Sequence, residues 1–290
     1  MAATGRCVVV GVDDSDNSLI ALDAGAAEAV LRRRPLHVIH ADPFATAADS
    51  GASGAGPLPE EPGRWVNRAI ERARTAYRRL TVTGEVARGF PQPVLIEASR
   101  DAELVAVGDR GLGALARALT DTVAGGLASQ ASCPVLVTRG LGDRDGPIVV
   151  GVDGSADSQA AVGFAFAEAD LRGRRLVVVH AWTRPGPHVP GTVVPLDFSA
   201  ASVRAGAERL VSEASAGWRE KYPDVAVNQV LAHGHPSEAL CEAGQRASLL
   251  VVGIRGRTAP RVEGIGSVSR HLVYRAPCPI VVVPHQGDRR

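Results

Sequence analysis

Apolar residues along the chain gather in short, nearly unbroken runs and seldom alternate with polar ones. The runs Cys7–Val12, Leu36–His40, Leu104–Val107 and Val135–Val137 return further on as Ile148–Val152, Leu176–His180, Leu249–Val252 and Ile280–Val283. Runs this short and this rich in β-branched residues read as strands buried on both faces, the mark of a parallel sheet. Between them the spacing turns helical, with Val162, Ala165, Phe166 and Ala169 on one face. Apolar strands alternating with helices predict an α/β fold with helices on both faces of each sheet.

The pattern occurs twice. Cys7-Val-Val-Val-Gly-Val-Asp-Asp-Ser-Asp returns as Ile148-Val-Val-Gly-Val-Asp-Gly-Ser-Ala-Asp, so Gly11 and Asp13 match Gly151 and Asp153 at an offset of 140. Leu36-His-Val-Ile-His-Ala returns as Leu176-Val-Val-Val-His-Ala at the same offset. Past the middle loop the offset is 145, where Gly89-Phe-Pro matches Gly234-His-Pro and Leu104-Val-Ala-Val-Gly matches Leu249-Leu-Val-Val-Gly. Cys133-Pro-Val-Leu-Val likewise matches Cys278-Pro-Ile-Val-Val. Two tandem domains are expected, 1–143 and 144–290, joined in the polar stretch Leu141–Gly146.

Within each copy the first two strands flank a helix and are followed by Pro43–Gly63 or Thr183–Ala200. These stretches are rich in Gly, Pro, Ala and Ser and serve as plain linkers or as lids. A longer helix is predicted over Val66–Leu80 and Ala201–Glu220, and a third strand over Val82–Ala87 and Val225–Leu231. A short helix, the fourth strand, a glycine loop, a last helix and the fifth strand (Val135–Thr138; Ile280–Val283) complete each copy. Doubly wound sheets take ligands at the carboxyl ends of strands where the strand order reverses. With strands one and four adjacent there, Asp13 or Asp153 and the glycine loop face one crevice.

The stretch Ser248–Tyr274 carries the most chemistry. Its strand ends in Gly253-Ile-Arg-Gly256, runs through nine residues to Gly266-Ser267, and turns helical. Glycines let backbone amides approach a ligand with no Cβ in the way, and a helix start favours anions. The stretch reads as a phosphate cradle, with Asp153 beside it either touching a ligand or capping the next helix. The first copy has Gly108-Asp-Arg-Gly111 but places Asp121-Thr122 where Gly-Ser stands in the second. Two unit charges ~4 Å apart cost about 4 kcal/mol at an effective dielectric near 20, so a carboxylate there weakens phosphate binding. Arg117 or a bound Mg²⁺ would offset it.

Composition narrows the alternatives. A net charge of +1 builds in no general attraction to nucleic acid or membrane, and 4% aromatic content leaves little for a base-stacking platform. The absence of a signal pattern or an apolar run of membrane-spanning length points to the cytoplasm. Four cysteines without CxxC spacing read as free buried thiols. Eight histidines show no HExxH spacing, so no metal site is expected from the protein alone, and His40 and His180 read as satisfied structural residues. There is no GxSxG elbow and no Walker lysine. The arginine runs Arg32–Arg34 and Arg174–Arg175 fall at predicted helix ends and read as solvated cations suited to the dipole.

The VGVD-type first strand, the His-Ala end of strand two, the G-x2-G-x9-G-[ST] loop and the closing Cys-Pro before strand five resemble the universal stress protein family. The resemblance covers nearly the whole chain. It implies two doubly wound five-stranded parallel-sheet domains of the adenine-nucleotide-hydrolase-like type. It also implies ATP binding, with Mg²⁺, and pairing of the two copies through strand five as an intrachain pseudo-dimer, with a homodimer possible. Carried over by position, Gly151, Asp153 and Ala181 would meet the adenine end. Gly253, Arg255, Gly256 and Arg257 would wrap ribose and phosphates, and Gly266, Ser267, Val268 and Ser269 would meet the terminal phosphates. The weaker first site would use Gly11, Asp13, Ala41, Gly108, Arg110, Gly111, Leu112, Thr122 and Val123. The implied role is a nucleotide-dependent stress-response module with a protein partner that the sequence does not name. A slow ATPase, or a scaffold in which nucleotide is incidental, are the rival readings. No catalytic residue is expected.

Overall fold

The computed structural model describes residues 6–13, 15–43, 62–109, 123–139, 142–182, 200–257 and 264–285. The first repeat runs β1 (Cys7–Gly11), α1 (Asp16–Arg32), β2 (Leu36–Asp42), α2 (Pro62–Ala76), β3 (Val82–Arg88), α3 (Pro91–Ala98), β4 (Ala102–Gly108), α4 (Val123–Gln130) and β5 (Val135–Thr138). The second runs β6 (Ile148–Gly151), α5 (Ala156–Arg172), β7 (Leu176–Trp182), α6 (Ala200–Lys221), β8 (Val227–His233), α7 (Pro236–Gly244), β9 (Leu249–Gly253), α8 (Ser267–Arg275) and β10 (Ile280–Val283). By contacts the chain divides into unit 1, residues 1–141 with 263–265 and 279–284, and unit 2, residues 142–262 with 266–278 and 285–290.

Unit 1 is a parallel sheet in the order β3-β2-β1-β4-β5, with β10 antiparallel on β5 and Ile280 opposite Val137. Unit 2 repeats the parallel arrangement as β9-β6-β7-β8. In each, the first strand of the repeat lies between the second and the fourth, as the switch-point argument requires. The apolar runs fill the sheets: Val8, Val10, Leu36, Val38, Leu104 and Val105 in unit 1 and Ile148, Val150, Leu176, Val178, Leu250 and Val251 in unit 2 are all buried. Helix α1 packs beside α2 and α3 beside α4, as expected for a sheet covered on both faces. In unit 2, Phe166 of α5 is fully buried against Trp218 of α6 and Tyr222 just past its end, with ring centroids 6.5 and 6.1 Å away. Gly163 makes this possible, because a Cβ there would sit 2.4 Å from Trp218 Cζ2. The outermost strands are different. Glu85, Val86 and Arg88 of β3 and Asn228, Gln229 and Val230 of β8 are exposed.

Local chemistry sets the element ends. Ser15 and Ser155 cap α1 and α5, each accepting from the backbone N–H three residues on. Both helices stop on a left-handed residue, Gly173 (φ 60°) in one copy and Arg33 (φ 55°) in the other. The helix predicted over Val66–Leu80 instead spans Pro62–Ala76, because Leu80 N–H turns back to the Tyr77 carbonyl. The strand predicted over Val225–Leu231 lies at Val227–His233, because Val225 N–H closes a turn on Tyr222. Arg32 and Arg34 are not merely solvated: Arg32 reaches Glu28 (3.2 Å) and Glu103 (3.7 Å), and Arg34 reaches Glu103 (2.5 Å). Among the described residues no helix is long and apolar enough to cross a membrane.

Candidate functional site

Each candidate site begins where the first strand of its repeat ends. Ser15 donates to Asp13 Oδ1 through its N–H (2.9 Å) and its hydroxyl (2.5 Å), and Ser18 Oγ donates to the Asp13 carbonyl (2.7 Å). In unit 2 Asp153 Oδ1 accepts from Ser155 N–H (3.0 Å) and Oγ (2.6 Å). Sequence left these aspartates as ligand contacts or helix caps. The cap is the serine two residues on, and the aspartate holds that serine in place. The Ser-x-x-Ser spacing repeated at Ser15/Ser18 and Ser155/Ser158 was the available signal for it.

In unit 1 the predicted residues Gly11, Asp13, Ala41, Gly108 and Val123 all line one narrow crevice. Its walls are mainly apolar, with Ile39, Leu95, Val107 and Ala124 among them, and Asp109 also lines it. Asp109 is paired with Arg139 (3.3 Å). Arg110, Gly111, Leu112 and Thr122, with Asp121 and Arg117, lie outside the described residues. So do most of the long middle stretches.

In unit 2 the glycine loop folds back on the strand ends. Arg257 N–H donates to Asp153 Oδ2 (2.7 Å) and Gly266 N–H to the Ile254 carbonyl (2.9 Å), and Ser155 Oγ lies 3.4 Å from the Arg255 carbonyl oxygen. Gly266 is the N-cap of α8 and, having no side chain, makes no side-chain cap hydrogen bond to the first-turn amides. Ser269, also predicted to offer its hydroxyl to phosphate, spends it on the Gly253 carbonyl (2.6 Å, buried). Its hydroxyl therefore fastens α8 to the end of β9. Gly151 ends β6 against Leu240 of α7, and Ala181 lies one residue before the end of β7.

The two loop glycines do different jobs. A Cβ at Gly253 would lie 2.5 Å from the Asp157 carbonyl oxygen and 2.6 Å from its carbon, and a Cβ at Gly108 would lie 2.9 Å from the Asn17 oxygen. Both contacts are with helix backbone, so these glycines let the strand end approach the helix. At Gly256 a Cβ would lie 2.6 Å from Asp153 Oδ2, a side-chain atom.

Burial pushes the Asp153 carboxyl up, but hydrogen bonds from Ser155, Arg257 and Ser158 outweigh it and hold the group below the ordinary carboxylate value. Asp157, missed by sequence reasoning, is buried in the first turn of α5, where it meets His285 Nδ1 and lies 3.9 Å from Arg255 Nε. His40 and His180 donate from Nδ1 to the carbonyls of Val12 (2.9 Å) and Val152 (2.8 Å), the satisfied structural role expected of them. None of the four cysteines forms a disulfide; Cys133 and Cys278 are buried, while Cys7 and Cys241 are partly so. Burial, with Cys241 nearby, pushes the Cys278 thiol up to about 12. Among the described residues no group of three His, Cys, Asp or Glu side chains is placed to hold a metal ion.

Fold and site together define a tandem α/β protein whose repeats each bring an aspartate, a loop glycine and a helix start to the carboxyl ends of parallel strands. A sequence model of the universal stress protein family matches residues 6–139 and again 146–284, and the chain belongs to that family. It is similar to a universal stress protein of Mycobacterium tuberculosis, 38% identical over 292 residues with 95% of this chain and 96% of the relative covered. A second one from that organism is 32% identical over 300 residues, with 95% of each chain covered. Among solved structures, a universal stress protein from Archaeoglobus fulgidus aligns with a TM-score of 0.61 at 17% identity, covering 98% of this chain and all (100%) of its own. That likeness speaks for the fold.

Proposed function

We propose that the chain binds an adenine nucleotide, ATP with Mg²⁺, and acts as a regulatory module whose surface changes with occupancy. The observation that carries this reading is the convergence of Gly11, Asp13, Ala41, Gly108 and Val123 on one crevice where the strand order of unit 1 reverses. An apolar crevice with a few fixed polar groups suits a base and its sugar. In unit 2, Gly151, Asp153 and Ala181 would lie by the base, and Gly253, Arg255, Gly256 and Arg257 by ribose and phosphates. The N–H groups of Ser267 and Val268, at the positive end of α8, would meet the terminal phosphates. Mg²⁺ would arrive on the phosphates, keeping several of its own waters.

Unit 2 is the tighter site in this reading, because the first repeat carries Asp121 where the second has Gly266. Mass spectrometry of the ligand released from purified protein, with calorimetry using ATP and Mg²⁺, tests the proposal. An adenine nucleotide in the released fraction and saturable heat are expected. Protein that carries none and gives no heat with any adenine nucleotide refutes it.

A further inference from the structure

The start of α5 and the end of β9 touch at Asp157 and Gly253, so closely that a Cβ on the glycine would come within 2.5 Å of the Asp157 carbonyl oxygen. Arg255 follows two residues on. Two donors meet the Asp157 carboxylate there, and all three residues belong to unit 2. His285 brings Nδ1 to Oδ1, and because a carboxylate only accepts, that nitrogen carries the hydrogen. Arg255 brings Nε to 3.9 Å from Oδ2. The Asp157 side chain is 9% exposed and that of Arg255 28%, so the carboxylate is the fixed member of the pair and the guanidinium the one with room to turn. The first repeat keeps the arginine, as Arg110, but has Asn17 in place of Asp157 and Gly140 in place of His285.

We infer that Asp157 is a positioning residue for phosphate binding: it steers the Arg255 guanidinium, and His285 keeps the carboxylate aimed. This rests on the nucleotide reading, in which Arg255 meets ribose and phosphates, and it names the group that makes that contact effective. An arginine on a free stem gives up rotamer freedom when it meets an anion, and one already held by a carboxylate has less to lose. The approach through Nε matters, because the guanidinium is a planar fork and an anion on its Nε side fixes the plane in which the Nη groups offer their hydrogens. At 3.9 Å the ion pair is loose enough for Arg255 to lean towards a phosphate, and His285 then remains as the donor on Asp157. The expected gain is about fivefold in ATP affinity, the scale of one partly exposed ion pair. A ligand without phosphates gains nothing from it. With Asn17 at this position, the first repeat has no carboxylate to do the same.

The test uses the full chain, with calorimetry on two probes, ATP with Mg²⁺ and adenosine, and with D157N, R255Q and the double variant beside the wild type. D157N keeps the shape and can still accept from His285, and the first repeat carries the same residue as Asn17, so the fold accommodates it. ATP binding is expected to weaken about fivefold in D157N with adenosine unchanged, and D157N is expected to add less than about twofold once Arg255 is gone. A ligand-free readout stands beside these: the Arg255 Nε–H signal in NMR, identified by its loss in R255Q, is expected to stand apart in the wild type and to join those of solvated arginines in D157N. Unchanged or tighter ATP binding in D157N, an equal loss for adenosine, or the full loss in the R255Q background overturns the inference and leaves the nucleotide reading intact. So does an Arg255 signal that D157N leaves in place. A signal that depends on Asp157, with no heat from ATP or adenosine in any of these proteins, overturns the nucleotide reading and with it the role in phosphate binding, while the hold of Asp157 on Arg255 stands.

Discussion

Replacing Gly253 by alanine separates packing from ligand contact at the first glycine of the loop. The new Cβ would lie 2.5 Å from the Asp157 carbonyl oxygen, about 0.9 Å inside the 3.4 Å of ordinary contact. Neither side can yield cheaply. The partner atom is backbone in the first turn of α5, and β9 is held in register on β6 through Ile148 and Leu249. Overpacking of this kind costs about 1–3 kcal/mol, or a fall of roughly 2–10 °C in the melting temperature of a domain this size. G108A, where the clash is 2.9 Å with the Asn17 oxygen, is expected to cost less. G256A meets only the Asp153 side chain and is expected to cost least. Urea unfolding followed by tryptophan fluorescence resolves the units, since Trp65 reports unit 1 and Trp182 and Trp218 report unit 2. If G253A leaves the unit 2 midpoint unchanged while abolishing nucleotide binding, this glycine serves the ligand and the packing argument is wrong.

Three further outcomes follow from the same geometry. Ser269→Ala strips the buried Gly253 carbonyl of its 2.6 Å donor and is expected to destabilise unit 2 by about 1–3 kcal/mol in urea; an unchanged midpoint would contradict that. Arg33→Gly relieves a side chain from the left-handed region, as Gly173 does in the other copy, and is expected to stabilise unit 1 by about 0.5–1 kcal/mol, a rise in its urea midpoint. A fall in that midpoint would refute it. The Cys278 thiol is raised from 9.0 to about 12, so its contribution to stability is complete below pH 9 and is lost as pH climbs towards 12. Between pH 8 and 10.5 the wild type is therefore expected to lose more stability than Cys278→Ala. Parallel losses would mean that this thiol is not the titrating group.

The strands were legible because buried parallel strands write themselves as unbroken apolar runs, and the repeat showed each of them twice; of their order, only the adjacency of strands one and four was anticipated. Element ends were less so. Whether a helix stops at Ala76 or Leu80 depends on a single backbone turn at Tyr77, which leaves no mark in hydrophobic spacing. The site was half legible. Its glycines and aspartates stood out by spacing, and in unit 1 Gly11, Asp13, Ala41, Gly108 and Val123 do meet. What spacing could not assign was the use of each group. Ser269 and Gly253 are taken up by packing, and Asp153 by the loop itself. Those choices turn on contacts of Asp153 with Arg257 and of Asp157 with Gly253, between residues about a hundred positions apart. Asp157 went unnoticed for the same reason, because its partner His285 comes from the far end of the chain.

The rims of the two sheets differ in a way that bears on how the protein ages in solution. On β3 the charges of Glu85 and Arg88 would have to shed water before a foreign strand could dock, which discourages it. On β8 the exposed stretch is Asn228, Gln229 and Val230, uncharged and, at Val230, 41% exposed, with Val230 at the position Glu85 holds on β3. The β8 rim is thus the weaker guard against sticking to another polypeptide, and a single lysine in place of Gln229 is the smallest change that would reinforce it.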